Sequence, residues 1–378
     1  MQAGWSPGPL GDFTDGKDTY SFKIALLPGD GIGPEVLEAA ISVLKGVESC
    51  LKEVRFQFEE FSVGAKEYLS SGDPFPPIIF DGLREFDAIF LGAMGLPGVR
   101  WANGIEMTPQ LDLRERLDLY CGLRPIYLFH SQDSPFRDRA QGSIDLLLVR
   151  ESTEGLFSSR KSLLNLNADS VEDQLLVTRK GSERIIRAAF KQAMARRRHL
   201  TLVDKANVLP SMAFLRQVFD EIAPEFPEVQ TERLYVDAVA LYLVQKPEAF
   251  DVLVTENMFG DILSDLAAGL VGGMGMAPSA DLGDEYAVFQ PSHGSAPDIA
   301  GRGIANPVAA ILSAAMMLDW LGHPACRRGA DLIRAGVHTL FSNPKARTPD
   351  MGGNFSTFEM TEAILKALSN HHAVGERR

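Results

Sequence analysis

An α/β fold, either two domains or one large unit, is what this sequence predicts, and three observations carry the prediction. The chain has 378 residues, ample for a large core. Apolar runs of strand length recur along it, at Lys23–Pro28, Asp87–Gly92, Ile144–Glu151, Leu200–Asn207 and Phe250–Thr255. Longer stretches with helical patterning separate them, an alternation that builds helices onto a sheet.

Composition narrows the class. Hydrophobic residues make up 45% of the chain and charged residues 23%, both ordinary for a globular enzyme. A formal net charge of −13 opposes a nucleic-acid-binding surface. Arg196, Arg197 and Arg198 are the main basic cluster; they close a helical run from Gly181, where cations complement the helix dipole. Three dispersed cysteines, Cys50, Cys121 and Cys326, fit a reducing cytoplasm rather than a disulfide scaffold. No apolar run approaches bilayer length, so no membrane partner is expected. Residues 1–20, rich in Gly, Pro and Asp, lack a signal pattern and read as a loose tail.

Taken in order, the first strand leads into Gly29-Asp-Gly-Ile-Gly33-Pro34, with a helix opening near the proline. The glycines fall G-x-G-x-G, which is not the dinucleotide fingerprint, so a Rossmann domain is not expected. A helix from about Pro109 carries Arg114, and the chain is extended by Arg124 because Pro125 follows. Arg150 ends the strand Ile144–Glu151. Arginine leaving a buried strand suits a cleft, where its planar fork fits carboxylates; for each of the three taken singly, an ordinary ion pair is an equal reading. Residues 157–179 alternate loosely around a polar turn and read as a protruding hairpin arm. Lys205 closes the strand Leu200–Asn207, and Asp237 lies beside another apolar segment. The stretch Thr255–Asp265 then places Asp261 and Asp265 at i, i+4, on one face of a helix that Gly260 lets turn sharply from the strand. Two carboxylates so arranged can hold Mg²⁺ or Mn²⁺, or simply complement a helix dipole. Ala268–Pro278 is a glycine-rich connection, and residues 291–307 form a long loop of small and polar residues, a length usually functional in a compact domain.

Together these segments resemble the isopropylmalate and isocitrate dehydrogenase family of metal-dependent decarboxylating dehydrogenases, from Lys23 onward. The resemblance rests on Leu-Pro-Gly-Asp-Gly-Ile-Gly-Pro-Glu at 27–35, Leu-Arg-Pro at 123–125 and Val-Arg-Glu at 149–151. Asp-Lys-Ala-Asn at 204–207, the Thr255–Asp265 stretch and His-Gly-Ser-Ala-Pro-Asp-Ile-Ala-Gly at 293–301 complete it, in family order. It implies a two-domain α/β fold that is not Rossmann. A large cofactor-binding domain would comprise 21–119 and 272–378, and a small domain 120–271, with the arm at about 157–179. It further implies a homodimer with shared active sites.

The roles it implies are specific. Arg114, Arg124 and Arg150 clamp the carboxylates of a 2-hydroxy dicarboxylate, with Thr108 and Gln110 reading its side group. Asp261 and Asp265 hold Mg²⁺ or Mn²⁺ together with Asp237 of the partner subunit. The metal acidifies the substrate hydroxyl, and Lys205 of the partner subunit takes its proton while hydride leaves for the nicotinamide. The 2-oxo acid formed then loses CO₂. Cofactor contacts fall on Asn207, His293, Gly294, Ser295, Ala296, Pro297, Asp298, Ile299 and Asn306. An acid at Asp298 accepts from a ribose 2′-OH and repels a 2′-phosphate, so NAD is expected.

Two places depart from the pattern. Phe157 stands where relatives carry a tyrosine that reprotonates the enol; water, or a hydroxyl of Ser158, Ser159 or Tyr120, is expected to replace it. A substrate needing no such acid, and a weakly active or regulatory homologue, are the other readings. The substrate-reading helix is mixed, with apolar Met107 and Leu111 beside polar Thr108 and Gln110. A 3-isopropylmalate-like acid, D-malate or tartrate is the first expectation and isocitrate the second.

Overall fold

A computed structural model of the chain describes residues 19–101, 104–161 and 168–375. Among the described residues ten strands run in chain order: β1 Tyr20–Gly29, β2 Val54–Glu60, β3 Ala88–Ala93, β4 Cys121–Tyr127, β5 Asp145–Glu151, β6 His199–Asp204, β7 Gln230–Tyr235, β8 Val252–Thr255, β9 Pro278–Leu282 and β10 Ala287–Pro291. They form one sheet in the order β2-β1-β3-β10-β9-β4-β5-β8-β6-β7. Both flanks are parallel, while β10, β9, β4 and β5 pair antiparallel at the centre. The last two strands thus return from the C-terminal part of the chain to sit between β3 and β4. The five strands expected from the sequence are all present. The first opens at Tyr20, inside the stretch expected to be loose; residues 1–18 lie outside the described residues.

Helices cover the sheet: α1 Gly33–Cys50, α2 Ala65–Ser71, α3 Pro77–Gly82, α4 Pro109–Arg116, α5 Arg179–Met194, α6 Pro210–Ile222, α7 Val236–Gln245, α8 Asn257–Gly269, α9 Val308–Leu321, α10 Pro324–Phe341 and α11 Thr357–Gly375. Strand parity decides which face each one meets. Ile24, Phe90, Leu123, Val149, Leu202, Val254, Ala280 and Phe289 point to one face and join a single core with α1, α5, α6, α9, α10 and α11. Helix α9 is apolar almost all round, as befits its burial within that layer.

The opposite face is divided. At one end Ile126, Leu146, Leu148 and Leu253 pack under Val239 of α7 and Leu263 and Ala267 of α8. At the other, Leu27, Ile89, Leu91 and Val288 pack under Phe80 of α3 and Leu113 of α4. Between these two clusters the antiparallel strands carry polar side chains, and the site lies there.

The Arg196–Arg198 cluster lies past the end of α5, not in its last turn. The Arg196 side chain is largely covered, with Nε donating to Asp251 (2.8 Å) and Nη2 to Asp145 (2.9 Å). The cluster fastens α5 to the starts of β5 and β8 and is not a dipole cap. At the arm, Gly155 and Leu176 form an antiparallel bridge, and Ser159 Oγ donates to the Gln174 carbonyl (3.1 Å). Leu156–Lys161 forms a short 3₁₀ helix rather than a hairpin strand, and residues 162–167 of the expected arm lie outside the described residues.

Candidate active site

Register explains why the charged residues meet. Gly122 of β4 is opposite Arg150 of β5 on one side and Asp281 of β9 on the other. Residues paired across a sheet share a face, and so do residues two apart, so Arg124, Arg150, Ser279, Asp281 and Gln290 all project from the same face. Gly122 leaves the room: a Cβ there would lie 2.6 Å from Ser152 Oγ and 3.2 Å from Asp281 Oδ1.

The stretch Thr255–Asp265 seats the second half of the site. Thr255 Oγ1 donates to the Val203 carbonyl (2.8 Å), fastening β8 to β6. The Glu256 carboxylate caps α8 by accepting from the amides of Met258 (3.1 Å) and Phe259 (2.6 Å). Asn257 Oδ1 accepts from Nε and Nη2 of Arg150 (2.9 and 2.7 Å). The remaining Arg150 nitrogen, Nη1, donates to Asp261. Gly260 is not the turn residue its sequence position suggested. It lies within α8, and a Cβ there would stand 2.7 Å from Arg150 Cγ, so its role is to let the helix lie against the arginine stem.

A cavity of about 370 Å³ results, lined among others by Thr108, Gln110, Arg114, Arg124, Arg150, Phe157, Asp261, Asp265, His293 and Gly294. The three arginines, both aspartates and the polar Thr108 and Gln110 expected to read the side group are therefore brought together. The buried Gln110 Oε1, Ser279 Oγ, Ser292 Oγ and His293 Nε2 in its wall have no hydrogen-bond partner among the described residues. Polar atoms of this kind are satisfied by a ligand or water.

Charge shapes the cavity. Burial, with Arg114 beside it, draws the Arg150 guanidinium down to about 10, still protonated at neutral pH. Burial raises the Asp265 carboxyl, and the neighbouring Asp261 charge raises it further. That repulsion, on a pair of hard oxygen donors one helical turn apart, fits a divalent cation such as Mg²⁺ or Mn²⁺. Among the described residues of one chain, no group of three or more metal-capable side chains gathers.

Asp281 is a member that the sequence reading missed. Burial opposes its ionisation, but Arg114, Arg124 and Arg150 prevail and hold it at about 2. A carboxyl depressed below its unfolded value contributes stability above the unfolded pKa, near 4, and loses it as pH falls towards 2. Wild-type stability is thus expected to fall by about 2–3 kcal/mol from this group alone between about pH 5 and pH 2. In the charge-removing variant Asp281→Asn that increment is absent, which chemical denaturation at a series of pH values will read.

The glycine loop has a structural task. Ile32 N donates to the Ser295 carbonyl (2.8 Å), and a Cβ on Gly31 would fall 1.8 Å from the same oxygen. The loop thereby carries the 293–299 segment at contact distance. Asp30, fully buried, accepts from the amides of Ala65, Lys66 and Gly95 (2.7, 3.0 and 2.8 Å) and pins the loop from behind. His293 Nδ1 contacts the Gly294 carbonyl (2.9 Å), which requires a donor there. Burial holds the ring neutral, leaving Nε2 an acceptor. Asp298 and Pro297 are exposed, while Ser295 is buried. Asn306 is buried too: its Oδ1 accepts from Val308 N (3.1 Å), and its Nδ2 faces Asp350 (3.3 Å).

Lys205 and Asp237 stand apart from the cavity. Lys205 Nζ donates to Asp237 Oδ1 (2.7 Å), a hydrogen bond that lowers the Asp237 carboxyl, and neither residue lines the wall. Asn207 is exposed on the turn after β6. Phe157 does line the wall, its ring centroid 5.3 Å from the Arg150 guanidinium carbon. The three hydroxyls expected to replace a tyrosine there are all committed elsewhere. Ser158 Oγ donates to the Gly155 carbonyl (2.8 Å), Ser159 Oγ to Gln174, and Tyr120 OH to Asp284 (3.1 Å); none lines the cavity.

Comparison with known proteins agrees with this geometry. Residues 23–364 match the isocitrate/isopropylmalate dehydrogenase family. The chain is 46% identical over 338 residues to the 3-isopropylmalate dehydrogenase of Moorella thermoacetica, covering 87% of this chain and 93% of that protein. It is 46% identical over 365 residues to the 3-isopropylmalate dehydrogenase of Bacillus subtilis, covering 93% and 98%. Among solved structures, isocitrate dehydrogenase from Methylococcus capsulatus superposes with a TM-score of 0.82 at 39% identity, over 92% of this chain and 99% of that one. With its motifs, its mixed sheet and its clustered arginines and aspartates, this chain belongs to the isocitrate/isopropylmalate dehydrogenase family.

Proposed function

We propose that the protein is an NAD-dependent, Mg²⁺- or Mn²⁺-dependent dehydrogenase that oxidatively decarboxylates a 3-substituted malate (a 3-isopropylmalate-like acid, D-malate or tartrate) to a 2-oxo acid. The convergence of three arginines and the Asp261–Asp265 pair on one cavity carries this reading. Arg114, Arg124 and Arg150 offer planar forks to the two substrate carboxylates. Asp261 and Asp265 are the metal donors of this chain, joined by Asp237 of the partner subunit. When bound, the cation supplies Lewis acidity at the substrate hydroxyl and the nicotinamide accepts hydride. Lys205 of the partner subunit removes the hydroxyl proton. Asn207, residues 293–299 and Asn306 hold the cofactor, with the exposed carboxylate of Asp298 favouring NAD over NADP.

The homodimer belongs to this proposal, as do the division into 21–119 with 272–378 and 120–271 and the arm as a dimer contact. Its support is an apolar surface beside the residues that must act across it. Val208, Tyr235, Leu241, Val244 and Ile262 are exposed around Lys205, Asp237 and Asp261, the kind of patch a second copy covers. No helix among the described residues is long and apolar enough to cross a membrane.

With the nearby hydroxyls committed elsewhere, water is the proton donor in place of a tyrosine. Phe157→Tyr is accordingly expected to change kcat by less than about threefold, against the 10²–10⁴-fold that a missing general acid typically costs. A gain approaching that range in single-turnover decarboxylation would show that water does not serve.

Isocitrate is the second reading, favoured by the polar Thr108 and Gln110 in the cavity wall. NADH absorbance with Mn²⁺ and 3-isopropylmalate, D-malate, tartrate and isocitrate decides. The proposal expects an alkylmalate or malate to exceed isocitrate, with NADP at least about tenfold poorer than NAD. Preference for isocitrate, or no NADH from any of the four, overturns it.

A further inference from the structure

We infer that Arg160 is a positioning residue, which latches α4 to the segment carrying Phe157 and so sets how tightly the cavity holds its substrate. The inference rests on the function proposed above. Helix α4 needs such a tie. It is only eight residues long, and Thr108 at its N-terminus makes no side-chain capping bond. Its inner side is anchored: Leu113 and Leu117 join the cluster under β1, β3 and β10, and Arg114 Nε donates to Asp281 (3.0 Å). Asp112 and Glu115, three apart, share another face, and Asp118 lies just past the helix end.

Arginines from later in the chain meet all three acids. Arg160, in the 3₁₀ helix Leu156–Lys161, donates through Nη2 to Asp112 Oδ1 (2.9 Å) and to Glu115. Arg184 of α5 donates to both oxygens of Asp118 (2.7 and 2.8 Å) and to Thr153 Oγ1 (2.7 Å). These contacts cross the proposed division between 21–119 and 120–271. The Arg160 side chain is only 20% exposed, so water screens its pairs less than it would on an open surface. The consequence is geometric. Thr108, Gln110 and Arg114 line the cavity from α4 and its N-terminus, and Phe157 lines it from the segment of Arg160. Arg160, Asp112 and Glu115 do not line it, so the arginine acts through α4 and not on a ligand. The tie holds the two walls in register before a ligand arrives. Once it is loosened, the walls are assembled for only part of the time, and affinity falls by that fraction while the bound complex is unchanged.

Arg160→Met keeps the apolar stem and removes the charge. Hydrogen–deuterium exchange of the intact, unliganded protein reads the latch directly: residues 108–117 are expected to exchange about three- to tenfold faster, with a melting temperature within a few degrees of wild type. The KM for the preferred acid of the activity panel is expected to rise about three- to tenfold, with kcat and the KM for NAD each within about twofold. The double variant Asp112→Asn, Glu115→Gln removes the same tie from its other end and is expected to match Arg160→Met in both readouts. Adding Arg160→Met to that background is expected to change neither readout by more than about twofold, because the partners are already gone. Unchanged exchange over 108–117 overturns the inference, and so does an Arg160→Met effect that persists in full without the two acids. A merely structural role, also fatal to it, predicts that kcat and the KM for NAD move together with the substrate KM. Failure of the proposed function is read separately: no NADH from any acid of the wild-type panel sinks that reading, while faster exchange over 108–117 still upholds the latch.

Discussion

Lys205→Met is expected to lower kcat by about 10²–10⁴-fold while leaving the fold intact, because it removes the proposed general base from a solvent-facing position. The Lys205 side chain packs into no core; its contacts are the 2.7 Å hydrogen bond to Asp237 and the Tyr235 ring 5.7 Å away. Methionine keeps the apolar stem and drops the ammonium. A thermal melt within a few degrees of wild type, alongside the collapse in kcat, would assign the loss to chemistry. Retention of kcat within about tenfold would remove Lys205 from the role of base.

Asp261→Asn carries the second large effect. Asp261 is proposed as a metal donor and is also the ion-pair partner of the buried Arg150. Outer-sphere partners of a metal are worth about 10–100-fold in affinity, and a direct ligand no less. Mn²⁺ affinity measured by calorimetry is therefore expected to fall by at least about 100-fold. Stability should fall only modestly: Arg150 keeps both bonds to Asn257, and the Asp261 carboxylate is about half exposed, where solvent screens the pair. Unaltered Mn²⁺ affinity would exclude Asp261 as a ligand.

Much of this site was legible in the sequence because its residues sit in local motifs. The i, i+4 spacing of Asp261 and Asp265 needs only a helix, and Arg150 needs only the end of a strand. What local pattern could not supply was adjacency. Asp281 lies 157 residues from Arg124 and meets it because β9 inserts beside β4, a pairing no nearby residue announces. No element is assigned from sequence between the glycine-rich connection ending at Pro278 and the loop at 291–307. Gly260 and the 29–33 glycines look like turn formers, yet each also answers to a distant partner, Arg150 for the first and Ser295 for Gly31. Arg196 looked like a helix-terminal cation because α5 was expected to run to it; the helix stops at Met194 and the guanidinium turns inward to Asp251 and Asp145. Ser158 and Ser159 adjoin Phe157 in sequence but face other partners, as does Tyr120.

The account turns on whether Lys205 of one copy serves the Asp261 of another. Mixing inactive Lys205→Met and inactive Asp261→Asn protomers, after unfolding and refolding together, tests it most directly. A shared site predicts that each hybrid dimer regains one intact centre, restoring roughly a quarter of wild-type activity in an equal mixture, since about half the dimers are hybrids. A mixture no more active than its two parents would contradict the claim that two copies build the site together.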